Sequence, residues 1–136
     1  MINHASHNSE LTKNQSLVMN ALSDAKGPMS AYSILDVLRE HGFRAPLQVY
    51  RALEKLVEFG LVHRLESLNA FVACQHPSCE TNRKETVFFT ICEQCGSVQE
   101  LANHALVALV KDLAEEIEFS LKETVIELRG KCSDCQ

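Results

Sequence analysis

The sequence predicts an α+β protein of two domains joined by a short hinge, and three observations support this prediction. Residues 1–75 show three helical patterns followed by two short strand patterns. Residues 76–85 are polar and contain a proline, as is typical of a connecting segment. Residues 86–136 alternate strand and helix patterns and contain two closely spaced cysteine pairs. These ranges are taken as the N-terminal domain, the hinge and the C-terminal domain.

The N-terminal domain is predicted to begin with three helices. Apolar residues at helical spacing mark a first helix over about residues 11–24, which Gly27-Pro28 ends. Ser30 is a candidate N-cap for the second helix, which His41-Gly42 closes. The apolar residues of this helix, expected to face the core, are Ile34, Leu35, Val37 and Leu38. The third helix starts with Pro46 in its first turn and ends near Gly60.

Two strand patterns, Leu61–Glu66 and Ala70–Cys74, complete this domain and are separated by a turn. Three helices followed by a hairpin are the order of a winged helix-turn-helix, in which the third helix enters the major groove of DNA. The alternative is a small α+β core without any role in binding nucleic acid.

The C-terminal domain is predicted to be an α/β unit. Strand patterns cover residues 86–91, 98–101 and 120–128, and a helical pattern covers residues 102–119. The helix carries its larger apolar residues on one face. These are Leu106, Leu109, Val110, Leu113 and Ile117.

The cysteine pairs, Cys92/Cys95 and Cys132/Cys135, have the Cys-x-x-Cys spacing of thiolate zinc sites. Four sulfurs close the tetrahedral coordination of Zn²⁺, so such a site is structural rather than catalytic. The first 14 residues are polar and lack the apolar core that a signal peptide needs, so we expect none there, and the sequence has no apolar run that would span a membrane. We therefore expect a cytoplasmic protein with reduced cysteines, and we expect no contact with a membrane.

The net charge of −5 is confined to one half of the chain. Residues 1–75 hold seven Lys/Arg and seven Asp/Glu, whereas residues 76–136 hold six and eleven. An acidic second half is a poor ligand for phosphate, so DNA binding is expected only from the first half.

The third helix presents a candidate DNA-reading surface. Its apolar residues Val49, Ala52, Leu53 and Leu56 gather on the side that faces the core, and its polar residues fall on the opposite side. The candidate DNA contacts are Gln48, Tyr50 and Arg51 on this helix, together with Arg44 and Arg64. The alternative is a solvated face with charge pairs such as Arg51–Glu54 and Lys55–Glu58.

Several segments together resemble the ferric uptake regulator family. They are Val-Tyr-Arg-Ala-Leu at 49–53, Gly-Leu-Val-His-Arg-Leu-Glu-Ser at 60–67, Cys-Glu-Gln-Cys-Gly at 92–96 and the closing pair of cysteines. Residues 62–67 and 71–74 are most similar to the zinc uptake regulator branch of that family. The resemblance implies a homodimeric transcriptional repressor that is not an enzyme, takes no small-molecule substrate and binds operator DNA. It also implies that the C-terminal domain is the dimerisation domain.

A second, regulatory zinc is implied by the same resemblance, giving two Zn²⁺ per protomer. His63 and Cys74 flank the hairpin turn and offer imidazole and thiolate, a pair suited to zinc. Glu100 matches a third family position. Cys79 is the preferred fourth ligand, with His76 or Glu85 as the alternative.

Other classes of protein remain as alternatives. Phe88 and Phe89 stand where the iron-sensing branch carries histidines, which argues against iron. The main alternative is a thiol redox sensor in which Cys74 or Cys79 becomes oxidised and does not bind a metal. A zinc hydrolase would need a motif such as His-Glu-x-x-His, which the sequence lacks.

Overall fold

The computed structural model describes residues 11–74, 87–122 and 124–136, and these form two compact units. The first unit lies within Met1–Cys74 and the second within Gln75–Gln136. The α+β class is confirmed, because each unit combines helix with sheet. None of the described helices is long and apolar enough to cross a membrane.

The described part of the first unit contains three α-helices whose N-termini are fixed by local features of the sequence. Helix α1 spans Lys13–Asp24, and the Thr12 hydroxyl accepts a hydrogen bond from the Gln15 amide. Helix α2 spans Ala31–Leu38, and Ser30 caps it as expected by accepting from the Ser33 amide. Helix α3 spans Pro46–Glu58 with proline in its first turn, where a missing N–H costs no helical bond.

Two short strands, β1 (Val62–Leu65) and β2 (Ala70–Ala73), close the first unit as an antiparallel hairpin. Met29, just before α2, exchanges two backbone hydrogen bonds with Phe71 of β2. This bridge ties the hairpin to the helices. Three helices followed by an attached hairpin give the winged helix-turn-helix arrangement expected from the sequence.

The core of the first unit joins all three helices to the hairpin. Helix α3 contributes the apolar set predicted from its periodicity, since Val49, Ala52, Leu53 and Leu56 are all buried. One residue of the apolar pattern of α2 departs from expectation, because Val37 is half exposed. Because these four residues of α3 are buried, the opposite face of the helix is exposed.

From residue 87 onward, the described residues of the second unit form a three-stranded sheet with one helix. Strands β3 (Val87–Cys92), β4 (Val98–Leu101) and β5 (Val125–Gly130) lie in the order β4-β3-β5, and helix α4 spans His104–Glu116. Strand β3 pairs antiparallel with β4 and parallel with β5. The Asn103 side chain caps α4 by accepting from the Leu106 amide at 2.9 Å.

The predicted bounds of the last helix and the last strand were wrong by several residues. Helix α4 ends at Glu116 because Glu118 adopts a positive φ of 54°, which an α-helix cannot contain. Strand β5 begins at Val125 rather than at residue 120, since its pairing with β3 starts there.

Candidate metal centre and nucleic-acid interface

The two cysteine pairs lie at the same end of the second sheet. Cys92 is the last residue of β3, and the parallel register places it opposite Gly130, two residues before Cys132. One sulfur from each of Cys92, Cys95, Cys132 and Cys135 lies within 4.8 Å of the other three. All four are free cysteines, and the sulfurs of Cys95 and Cys132 are 3.8 Å apart, well beyond the length of an S–S bond.

Backbone amides favour a thiolate at Cys92. The amides of Cys95 and Cys132 each donate to the Cys92 sulfur at 3.4 Å. These two hydrogen bonds, the Cys95 amide first, are the main reason that the pKa of Cys92 falls from 9.0 to about 5. Cys92 therefore offers a ready thiolate at neutral pH, and it is itself buried.

Without a cation, one of the four sulfurs holds its proton well above neutral pH. Hydrogen bonding to Cys132 and then to Cys92, together with burial, raises the pKa of Cys135 to about 12. Four thiolates so close together repel one another, and a divalent cation at their centre would remove that repulsion. Four cysteine sulfurs suit Zn²⁺ in a closed tetrahedral site, so the residues fit the ion.

The sequence interpretation missed one polar neighbour of this cluster. The Ser97 hydroxyl lies 3.3 Å from the Cys95 sulfur and lowers the pKa of Cys95 by hydrogen bonding to it. A serine two residues after the second cysteine of a pair is a signal that could have indicated this contact.

Uptake of zinc by the metal-free protein is expected to release protons at neutral pH. Cys92 is already ionised there, but Cys135 is not, so at least about one proton must leave for each ion bound to this cluster. The release can be measured with a pH indicator in weakly buffered solution. Zinc binding to the cluster without any release of protons would contradict the raised pKa of Cys135 in the metal-free protein.

His63 and Cys74 come together on the hairpin of the first unit. His63 on β1 pairs with Val72 on β2. Cys74 lies two residues after Val72, and side chains two residues apart on an extended strand share a face, so His63 and Cys74 point to the same face of the hairpin. Their ligand atoms lie within 4.8 Å of each other. The Cys74 sulfur is in a disulfide bond, so it would have to be reduced before it could bind a metal.

Of the other predicted regulatory ligands, the structure describes Glu100 alone. Glu100 lies on β4 of the second unit, where it pairs with Phe89 and is partly buried. Cys79 and its alternatives, His76 and Glu85, lie outside the described residues.

The predicted reading face of α3 is exposed. Tyr50 and Arg51 both face solvent, and Arg44 lies just before the helix. Of the two charge pairs expected for a solvated face, Lys55–Glu58 is present at 3.4 Å. No Arg51–Glu54 pair forms among the described residues.

Two of the candidate DNA contacts already have partners. The Gln48 carbonyl oxygen accepts from the amides of Arg44 at 2.6 Å and Ala45 at 3.1 Å, so it closes the N-terminus of α3. The Arg64 guanidinium donates to the Asn69 side chain at 3.2 Å and lies 3.7 Å from the Glu66 carboxylate. Arg64 is thus held along the hairpin, where a phosphate would compete with Glu66.

Comparison with known proteins agrees with this architecture. The ferric uptake regulator family model matches residues 7–129. The zinc uptake regulation protein of Escherichia coli K12 is 38% identical over 132 residues, covering 96% of this chain and 75% of the relative.

Solved structures are similar over nearly the whole chain as well. A zinc uptake regulator complexed with zinc and DNA matches with a TM-score of 0.85 and 36% identity, over 96% of this chain and 85% of that one. A crystal structure of holo XcZur matches with a TM-score of 0.81 and 39% identity, over 91% and 84%. The chain therefore belongs to the ferric uptake regulator family, and the relatives named here that it resembles are zinc uptake regulators.

Proposed function

We propose that this protein is a zinc-responsive transcriptional repressor that binds operator DNA as a homodimer when a regulatory zinc site is filled. The observation that carries the proposal is the likeness, over 96% of the chain, to a zinc uptake regulator complexed with zinc and DNA. The exposed reading face of α3 and the four-cysteine cluster supply the chemistry that this function needs. We further propose that the protein is cytoplasmic. It would have no enzymatic activity and no small-molecule substrate.

The four-cysteine cluster is proposed to hold a permanent zinc. It joins the ends of β3 and β5, so a bound ion would fix the C-terminal segment to the sheet. Structural zinc of this kind contributes on the order of 10 kcal/mol to folding. The zinc at this cluster is therefore expected to resist mild chelation.

A second zinc is proposed as the regulatory ion, giving two per protomer. Its proposed ligands are His63 and Cys74 of the first unit, Glu100 of the second, and Cys79, which falls between Cys74 and Glu100 in the sequence. His76 or Glu85 is the alternative fourth ligand. Binding to ligands from both units would favour one arrangement of the units over others by differential affinity. In a dimer, that arrangement would set the spacing of the two α3 helices along the duplex.

Titration of the reduced protein with zinc tests the function. Fluorescence anisotropy of a labelled duplex, selected by the protein from a random-sequence pool, should rise with zinc and fall when chelator removes the weaker ion. The same titration without reductant should give no rise, since Cys74 would remain in its disulfide. Binding that follows oxidation and ignores zinc would instead favour thiol redox sensing, which the relatives named above do not support.

The homodimer is supported by the exposed apolar face of α4. Leu109, Leu113 and Ile117 are each about 60% exposed, although they share one side of the helix. A stripe of large apolar side chains of this kind is typical of a surface that another protein covers. A second copy of this chain would cover it in the proposed dimer.

Replacing Leu113 by glutamate is expected to yield monomers. A charge at this position would be buried without a partner in the dimer, at a cost of several kcal/mol, but would stay hydrated in the single chain. Sedimentation velocity at micromolar concentration measures the state of assembly. Lys111→Glu, at an exposed position of the same helix, is the control and should remain dimeric. A dimeric Leu113→Glu variant would show that α4 does not form the interface.

A further inference from the structure

The exposed face of α3 and the hairpin of the first unit enclose a shallow groove of about 390 Å³. We call it the α3 groove. Its apolar lining includes three exposed side chains from α3, Leu47, Tyr50 and Val57, and the ring of Phe71 from β2. The charged residues along it are Arg51, Glu54 and Arg64. An apolar strip thus runs along the helix proposed to read DNA.

The charges along this strip favour the approach of DNA at one end over the other. Leu47 and Tyr50 lie one turn apart at the N-terminal end of α3, next to the positive charge of Arg51. Glu54 follows one turn later, and its carboxylate would repel phosphates near the C-terminal half. Contacts with bases are therefore confined to the end that carries Leu47 and Tyr50.

Gln48, a polar residue at this end of α3, already accepts two hydrogen bonds. Reading adenine with glutamine requires the side-chain oxygen to accept from the base while the nitrogen donates to it. The Gln48 oxygen accepts from two backbone amides, which occupy both of its lone pairs. Leu47, 56% exposed, and Tyr50, 40% exposed, remain beside Arg51 to meet the base edges.

An apolar side chain at a base edge has one natural target. In the major groove the thymine C5-methyl group is the apolar feature of the base edges, and apolar side chains contact it. We propose that Leu47 is a specificity-determining residue that contacts thymine methyl groups in the operator. This inference rests on the proposed function, and it assigns to Leu47 a preference for thymine over bases that lack this methyl group.

Replacing thymine by deoxyuridine, which removes only the methyl group, tests the inference. The probe is the duplex that the zinc-loaded full-length protein selects from a random-sequence pool, with its thymines replaced one at a time. Three proteins are compared: wild type, Leu47→Ala and Val57→Ala. Val57 lines the same groove but lies beyond Glu54, so Val57→Ala is the matched control. Both side chains are exposed, so truncating either one leaves the core intact.

The expected result is a position-specific difference between the variants. At one thymine or more, loss of the methyl group should weaken binding by wild type and by Val57→Ala about fourfold, as expected for burial of one methyl group. Leu47→Ala should bind the thymine and deoxyuridine duplexes equally at that position. The inference is overturned if wild type is insensitive to every replacement, or if Leu47→Ala keeps the full sensitivity. Failure to select any duplex in the presence of zinc would instead contradict the proposed function itself.

Discussion

Replacing Cys92 by serine is expected to remove one zinc per protomer and to unfold the second unit. Cys92 is 4% exposed, and its sulfur accepts hydrogen bonds from the amides of Cys95 and Cys132. A serine hydroxyl stays protonated at neutral pH, so it would replace a thiolate ligand with a poor one. The loss would approach the contribution of a structural zinc, on the order of 10 kcal/mol, which exceeds the stability of most small domains.

Atomic absorption measures the loss of zinc. Amide hydrogen exchange along β3 and β5 measures the unfolding of the second unit. Ser133→Ala is the matched control, because Ser133 lies within the second cysteine pair and supplies no sulfur. The control should keep its zinc and the protection of both strands. A Cys92→Ser protein with the same zinc content and the same protection as wild type would refute the structural role of the cluster.

Replacing Cys74 by serine is expected to abolish the zinc dependence of DNA binding while leaving the four-cysteine zinc in place. Cys74 lies within 4.8 Å of His63 on the hairpin and is remote in sequence from the two cysteine pairs. The affinity for operator DNA in saturating zinc should fall by roughly 5-fold to 150-fold, the usual range of coupling between two sites. Anisotropy measurements under reducing conditions report this change.

Two further variants, one in the hairpin turn and one at the neighbouring ligand, serve as controls for Cys74→Ser. Leu68→Ala alters an exposed residue in the turn of the same hairpin and should respond to zinc like wild type. His63→Gln removes the neighbouring ligand and should behave like Cys74→Ser. If Cys74→Ser responded to zinc with wild-type affinity, the regulatory site would have to be placed elsewhere.

Much of the first unit follows from sequence because its determinants are local. The periodicity of α3 identified the four residues that it buries, and proline, Ser30 and the turn glycines marked the ends of helices. The cysteine spacing identified the four sulfurs that the structure brings together. In each case the signal lies within a few residues of the feature that it predicts.

Features that depend on distant contacts were not predictable in this way. The start of β5 is set by its register with β3, which places Gly130 opposite Cys92. The capping role of Gln48 depends on how the chain enters α3. The periodicity of α4 showed an apolar face but could not show that this face would be exposed in the single chain.

Stepwise chelation of the reduced protein, with zinc content and DNA affinity measured together, tests whether a weakly held second zinc controls DNA binding. We expect two zincs per protomer at the start. As mild chelator is added, one should leave and DNA binding should disappear with it, while the second stays with the folded protein. Restoring zinc should restore both. A single zinc that never leaves, with DNA binding unchanged throughout, would show that no regulatory zinc controls DNA binding.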